Sequence, residues 1–227
     1  MRSLTSSIIL VLCFLTAATI PAVAQNATVT GRLGFGFMGL KSRAAHTDAG
    51  GLKIGVDAGV LFGYAGGNGD NLQWLLGFQY LGGHGGWISH DSTGIWLPNT
   101  FPQDSIEAGK KIKYKSSYLT IPFGVRLQTS EAQNLRFWAE VLPMQLSFRM
   151  GTKISIPDYD VKNVKARKET KLAGFWYEYG LGGSYTLGSN TSGSLGLSLF
   201  GSYSDLLKSP GKQVLRGWKI SLRINFT

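Results

Sequence analysis

The sequence predicts an all-β protein, an eight-stranded antiparallel transmembrane β-barrel of the up-and-down type. Two observations predict it. From Trp218 to Phe226, apolar and polar residues alternate without exception, which is the pattern of a strand with one apolar and one polar face. After Gln25 no stretch approaches the length of about 18 apolar residues that a spanning helix requires. Because lipid accepts only helices or closed barrels, a barrel is the remaining way to cross a bilayer.

Seven earlier segments repeat this alternation, with Gly, Ser and charged residues on the polar face. They are residues 29–37, 52–64, 72–80, 119–128, 135–141, 174–187 and 194–203. Together with the terminal strand they make eight, an even number and the smallest for this class of barrel.

Pro143 disturbs the fifth segment. Beyond it, Met144, Leu146 and Phe148 continue the apolar face with the opposite parity. Because proline cannot donate to the strand ladder, we expect a β-bulge near Pro143.

The connections alternate in length, which predicts the orientation. Residues 65–70, 129–133 and 188–193 are short and turn-forming, whereas 41–51, 82–111, 151–171 and 204–214 are long. Outer-membrane barrels keep short turns in the periplasm and long loops outside. We therefore expect both termini in the periplasm. The expected aromatic girdles are Trp218 and Tyr203 outside, and Phe226, Tyr64, Trp74 and Tyr185 on the periplasmic side.

The first 24 residues have the features of a signal peptide. Arg2 precedes an apolar stretch at 8–20, and Ala22-Val23-Ala24 provides a small-residue cleavage site, so residues 25–227 would form one mature barrel domain. The only cysteine, Cys13, lies in this segment, which excludes disulfides and thiolate metal sites in the mature chain. Removing Arg2 leaves 22 basic and 13 acidic residues, a charge of +9.

Two soluble folds remain as alternatives. A soluble eight-stranded barrel of the lipocalin type would turn the apolar face inward around a ligand. A β-sandwich would also accommodate alternating strands, but it offers no reason for the alternation of short and long connections. The terminal aromatic Phe226, the aromatic girdles and the glycine-rich polar face favour the membrane barrel.

Several strands resemble those of the PorT-like outer-membrane β-barrel family of Bacteroidota. The stretch 118–127, Tyr-Leu-Thr-Ile-Pro-Phe-Gly-Val-Arg-Leu, is similar to a Tyr-Leu-x-Ile-Pro strand of that family, and 76–80 and 179–185 resemble two further strands. The resemblance implies an eight-stranded barrel in the bacterial outer membrane but no single activity. It allows a role as an accessory component of type IX secretion. Phe226 also resembles the terminal assembly signal of outer-membrane proteins, which implies the barrel assembly machinery as a partner.

The inward face carries a set of ionisable residues, and Lys53 shares that face. The predicted lumen charge network is Arg32, Asp57, Arg126, Arg136, Glu140, Glu178, Lys219 and Arg223. An eight-stranded barrel is just wide enough for side chains to fill, and charges at bilayer depth must pair or meet water. We interpret the set as an ion-pair network that plugs the lumen. A narrow ion or solute path and a proton relay are the alternatives.

The long loops are basic. A possible anion-contacting loop carries Lys162, Lys165, Arg167, Lys168 and Lys171. The expected counterparts are outer-membrane lipid, lipopolysaccharide phosphates or an acidic glycan, rather than nucleic acid. A solvated rim without a dedicated ligand is the alternative.

An enzymatic role would require a constellation of residues that the sequence does not clearly provide. His84, Ser89, His90 and Asp91 cluster in the second long loop, and His46 with Asp48 in the first. Nothing in a Gly-rich loop would fix the geometry of a catalytic or metal site. We therefore predict no catalytic residues, metal or cofactor.

The predicted function is a non-enzymatic outer-membrane barrel whose basic extracellular loops contact a partner, lipopolysaccharide or an envelope protein complex. A narrow transport channel and a lipid A-modifying enzyme are the alternatives.

Overall fold

The computed structural model describes residues 27–42, 46–65, 71–91, 106–166, 170–205 and 213–227. The predicted signal peptide, residues 1–24, lies outside them. The strands are β1 (Ala27–Ser42), β2 (Thr47–Gly50), β3 (Leu52–Ala65), β4 (Leu72–His90), β5 (Ile112–Gln128), β6 (Leu135–Ile156), β7 (Val161–Lys165), β8 (Ala173–Gly188), β9 (Thr191–Ser202) and β10 (Gln213–Phe226). A short 3₁₀ turn, Pro157–Tyr159, precedes β7. No helix in these residues is long and apolar enough to span a membrane.

Eight of these strands close into a barrel. Each barrel strand pairs antiparallel with its two neighbours in the barrel, and the eight strands are β1, β3, β4, β5, β6, β8, β9 and β10. The first and last strands meet along their length, from Val29 opposite Phe226 to Ser42 opposite Gln213. The predicted fold class is therefore confirmed.

The two faces of the barrel differ as the alternation predicts. On β10, Leu222 is 64% exposed, whereas the next residue, Arg223, is 2% exposed. The same contrast holds on β3 between Val56, at 51%, and Asp57, at 0%. The apolar belt faces outward, as lipid requires, and the polar residues face the interior. Within the apolar belt, this arrangement excludes a lipocalin-type barrel, whose interior lining would be apolar.

The bulge predicted near Pro143 is confirmed. Leu142 and Gln145 on β6 face Glu178 and Trp176 on β8, so β6 contains one more residue than its partner between these positions. Leu142 points inward, and Met144 is outward and 57% exposed. The extra residue accounts for the change of parity after Pro143.

Three strands continue well beyond the apolar belt at the long-loop end. The continuing parts are 82–90 of β4, 112–117 of β5 and 151–156 of β6. The added strand β2 pairs with β4, and the added strand β7 pairs with β6. The prediction that 41–51, 82–111 and 151–171 are wholly loops is therefore wrong, because 82–90 pairs with β2 and β5, and 151–156 pairs with β5 and β7. We call this five-stranded projection, β2–β4–β5–β6–β7, the extension.

An apolar cluster fills the interior beneath and within the extension, and we call it the apolar plug. It consists of Met38, Leu40, Leu81, Ile88, Ile106, Ile112, Tyr114, Tyr118, Ile154, Ile156, Ala166, Trp176, Phe200 and Leu215. The barrel interior thus changes along its axis, from ionic on the short-turn side to apolar on the long-loop side. This apolar half resembles the core of a soluble protein and closes the long-loop end of the lumen.

Candidate functional site

Glu140 on β6 forms the centre of one half of the lumen network. Arg223 on β10 donates to Glu140 Oε2 from Nη1 at 2.6 Å, and Arg126 on β5 donates from Nη2 at 3.1 Å. Arg32 Nη1 lies 3.6 Å from the other carboxylate oxygen. Cations from three strands, β1, β5 and β10, therefore converge on a single carboxylate, which is 1% exposed.

Glu178 on β8 forms the centre of the other half. Lys219 Nζ donates to Glu178 Oε2 at 2.6 Å, and Arg32 donates to Oε1 of the same carboxylate. Lys219 also lies 3.8 Å from Asp57 Oδ2. On its other oxygen, Asp57 contacts His84 Nε2 at 2.7 Å. Arg32 bridges the two halves, so the network is continuous from His84 to Arg126.

The described network has a small excess of positive charge. Four cations (Arg32, Arg126, Lys219 and Arg223) face three carboxylates (Asp57, Glu140 and Glu178), which leaves a balance of +1 among these seven side chains. Trp138 offsets part of the energetic cost of burying this excess positive charge, because its ring lies 4.0 Å from the Arg223 guanidinium carbon in a cation–π contact. The indole also fills the space over Gly182 and Gly196, where an added Cβ would lie 2.4 Å from it.

Two members of the inward set lie elsewhere. Arg136 does not join the network. Its Nη2 pairs with Glu131 Oε2 at 3.0 Å at the short-turn mouth. Arg136 lies four residues from Glu140 along β6, about 13 Å at 3.3 Å per residue, and the turn supplies a nearer carboxylate. At the opposite end, Lys53 donates to the Tyr114 carbonyl at 3.2 Å.

His84 is a further member of the lumen network, which the sequence analysis placed in a loop. It lies on β4 rather than in a loop, points inward and is 0% exposed. A bulge between Leu81 and His84, with Gly83 at a φ of 82°, reverses the inward parity of the strand. The Gly82-Gly83 pair was the available signal, since consecutive glycines within a strand pattern often mark a bulge.

The predicted cluster of His84, Ser89, His90 and Asp91 is not assembled as one site. His90 Nδ1 lies 3.2 Å from Thr47 Oγ1, and Asp91 Oδ2 lies 3.2 Å from His46 Nδ1 at an exposed tip. His84 is separated from them inside the barrel. Among the residues that the structure describes, no group of three or more His, Cys, Asp or Glu side chains could hold a metal ion.

The outer surface of the extension carries a groove lined by lysines. Lys115 on β5 lies opposite Lys153 on β6, and Lys153 lies opposite Lys165 on β7. All three are exposed, and the groove between them encloses about 240 Å³. We call this feature the lysine groove. Sequence reasoning identified Lys165 but could not connect it with Lys115 and Lys153, because the connection depends on the register of three strands.

The other members of the predicted anion-contacting loop are placed differently. Lys162 Nζ pairs with Asp160 at 2.7 Å, and Lys171 Nζ with Asp205 at 3.4 Å. Arg167 and Lys168 lie outside the described residues. Of the predicted set, only Lys165 contributes to the lysine groove within the described part of the chain.

Aromatic residues mark both edges of the apolar belt. At the long-loop end, Trp218 stacks on Phe37 with ring centres 4.3 Å apart, and Tyr203 packs on Tyr177 at 4.8 Å. At the short-turn end, Trp74 packs against Phe123 at 6.3 Å.

Comparisons with known proteins agree with this architecture. The family model described as "Outer membrane protein beta-barrel domain" matches residues 23–204. The fold is similar to that of Neisserial surface protein A (NspA), with a TM-score of 0.50 and 10% identity over 89% of this chain and 99% of that one. OprG from Pseudomonas aeruginosa gives a TM-score of 0.43 at 9% identity, over 88% of this chain and 95% of that one. Ail of Yersinia pestis gives 0.42 at 9% identity, over 89% and 100%.

At 10% identity the likeness to NspA shows the fold alone. A comparison with curated protein sequences gives no match. The family match, however, covers most of the chain and coincides with the closed barrel and its outward apolar belt. The chain therefore belongs to the outer membrane protein β-barrel domain family of bacteria.

Proposed function

We propose that this protein is a non-enzymatic outer-membrane barrel that acts as a binding surface, with the extension outside the cell and in contact with lipopolysaccharide. One observation carries the proposal. The interior of the barrel is occupied by side chains, whereas the long-loop end is built into a five-stranded basic extension. The elaborated part of the molecule is thus its outer surface rather than its lumen.

The interior is a poor conduit for ions or solutes. A permeating species would first have to separate the carboxylates of Glu140 and Glu178 from the cations around them. It would then meet the apolar plug, where Tyr114 and Leu215 are both fully buried. Two successive barriers of opposite chemistry argue against the narrow-channel alternative.

The charge of the extension suits an anionic partner. Lysine binds phosphate as a compact positive charge, and lipopolysaccharide presents phosphates at the outer leaflet. With the long loops outside, both termini are periplasmic, as an even strand number allows. Phe226 then ends the closing strand at the periplasmic edge, where we propose that the barrel assembly machinery recognises it.

We also propose that the chain belongs to the PorT-like branch of the family. The Tyr-Leu-Thr-Ile-Pro-Phe element that supports this placement lies on β5, with Leu119 and Phe123 facing outward and Thr120 and Pro122 facing inward. This placement concerns descent and does not by itself assign a partner.

Two measurements on the native protein test the proposal together. Protein extracted in a gentle detergent should retain lipopolysaccharide, detected by mass spectrometry of lipid A. The same protein in planar bilayers should give no sustained current, because the lumen stays filled. A steady single-channel conductance would favour the transport alternative, and protein free of bound lipopolysaccharide would contradict the binding role.

A further inference from the structure

We propose that the lysine groove is the site that holds a phosphate group of lipopolysaccharide, a step that rests on the proposed function and names its binding residues. The groove is formed by Lys115, Lys153 and Lys165 on three adjacent strands. Four features support this assignment: the register of the lysines, their lack of acidic partners, the shape of the groove and its height above the apolar belt.

The register places the backbone positions of the three lysines directly opposite one another. Lys153 faces Lys115 on one side and Lys165 on the other. Directly opposed residues on antiparallel strands have Cβ atoms about 4.5–5.5 Å apart, and like charges in such pairs destabilise the sheet. Three lysines in a row are therefore a liability for the unliganded protein. A bound anion would convert this repulsion into attraction.

The row also lacks the carboxylates that neutralise neighbouring lysines. Lys110 pairs with Glu107 and Asp158, and Lys162 pairs with Asp160. Among the described residues, by contrast, no carboxylate lies within 4.0 Å of an ammonium in the row. Lys110 and Lys162 are thus neutralised locally, whereas the three lysines of the row have no carboxylate partner in the part of the chain that the structure describes.

The groove has room and polar walls for a phosphate ester. The groove has a volume of about 240 Å³. Besides the three lysines it is lined by Ser117, Asn163, Gly151 and Thr152. Ser117 and Asn163 add neutral hydrogen-bonding groups beside the three cations. Asn163 is held in a left-handed conformation with a φ of 53°, and its backbone N–H donates to Ser155 Oγ. At Gly151 an added Cβ would meet nothing within 4 Å, so this part of the groove is open.

The groove lies a short distance beyond the edge of the apolar belt. On β5, Lys115 comes four residues beyond the outward Leu119, and on β6, Lys153 comes three residues beyond the outward Met150. At about 3.3 Å per residue the lysines lie roughly 10–13 Å along the strands from the edge of the apolar belt, and less along the membrane normal because the strands tilt. This distance fits the headgroup layer rather than bulk solvent.

The test compares binding of defined lipids to the full mature protein in detergent. The central variant is Lys153→Gln, because Lys153 lies opposite both other lysines of the row in the strand register. It should bind lipopolysaccharide at least about tenfold more weakly, as expected for loss of a charge-assisted contact. Enzymatic dephosphorylation of the lipopolysaccharide should weaken wild-type binding similarly and affect the variant much less.

Two further variants separate charge, shape and stability. Lys162→Gln removes an exposed lysine that already pairs with Asp160, and it should leave binding unchanged. Gly151→Phe keeps every charge but obstructs the groove, and it should weaken binding. Because Lys153→Gln relieves repulsion, its melting temperature should equal or exceed that of the wild type, which a merely structural role for Lys153 would not give.

The outcomes distinguish this inference from the proposed function. If the wild type binds lipopolysaccharide and Lys153→Gln binds it with the same affinity, the groove is not the binding site, although the proposed function stands. A wild type that fails to bind lipopolysaccharide overturns both. Equal binding of phosphatidylglycerol vesicles and lipopolysaccharide would show a general phosphate site and contradict the assignment to lipopolysaccharide.

Discussion

Glu140→Gln is the substitution that most severely tests the lumen network. The change keeps the size and shape of the side chain but removes its negative charge. In the wild type this carboxylate accepts hydrogen bonds from Arg223 and Arg126 and lies 3.6 Å from Arg32. The variant would leave these three guanidinium groups around a neutral amide at bilayer depth.

The expected magnitude follows from burial. Glu140 is 1% exposed, and the excess charge of the described network would rise from +1 to +2. Breaking a buried ion pair by removing one partner costs about 3–5 kcal/mol, because the other charge is left uncompensated. Since about 1.4 kcal/mol corresponds to a factor of ten, the unfolding equilibrium should shift by about a hundredfold to several thousandfold.

Reversible denaturant unfolding in detergent micelles, followed by tryptophan fluorescence, measures this shift. The matched control is Glu107→Gln in the extension, where the side chain is 72% exposed and lies 3.8 Å from Lys110. An exposed pair of this kind contributes at most about 1 kcal/mol. Equal unfolding free energies for the two variants would refute the claim that Glu140 holds the network together.

Two further substitutions test assembly and packing. Phe226→Ala should reduce the yield of folded, heat-modifiable protein in the outer membrane far more than Leu222→Ala on the same outward face of β10, and equal yields would exclude a special role for the terminal aromatic. Gly196→Ala should lower the unfolding free energy by about 1–3 kcal/mol, because its Cβ would lie 2.4 Å from the Trp138 ring. Gly193→Ala is the control, because the nearest atom to its added Cβ would be 3.4 Å away. Similar losses of unfolding free energy in the two variants would show that the Trp138 ring moves aside.

Alternation along the strands was enough to predict the barrel and most of its interior. A strand has a strict period of two, so Arg223 and Glu140 could be assigned to the lumen without any knowledge of their partners. The bulge at Pro143 was also predictable, because proline removes a backbone donor and the apolar parity changes there.

The features that the sequence did not reveal depend on register and on distance along the strands. Alternation indicates which way Arg136 points but not how far it lies from Glu140, and the turn residue Glu131 is its nearer partner. His84 was hidden by a bulge that reverses the face of β4.

The sequence did not predict the extension, for a related reason. Strand β2 pairs with β4 across a long separation in sequence, and the short alternating stretches of the extension look like loops when each is read alone. The lysine groove arises only when Lys115, Lys153 and Lys165 are aligned on three strands.

The orientation of the barrel is the most direct test of the account, because every proposed contact requires the extension to face outward. Single cysteines at Lys162 in the extension and at Ser189 in the β8–β9 turn can be labelled with a membrane-impermeant maleimide, since Cys13 in the predicted signal peptide is the only native cysteine. On intact cells the cysteine at 162 should label fully and the cysteine at 189 only after lysis. Labelling at 189 but not at 162 would place the extension in the periplasm and contradict the account.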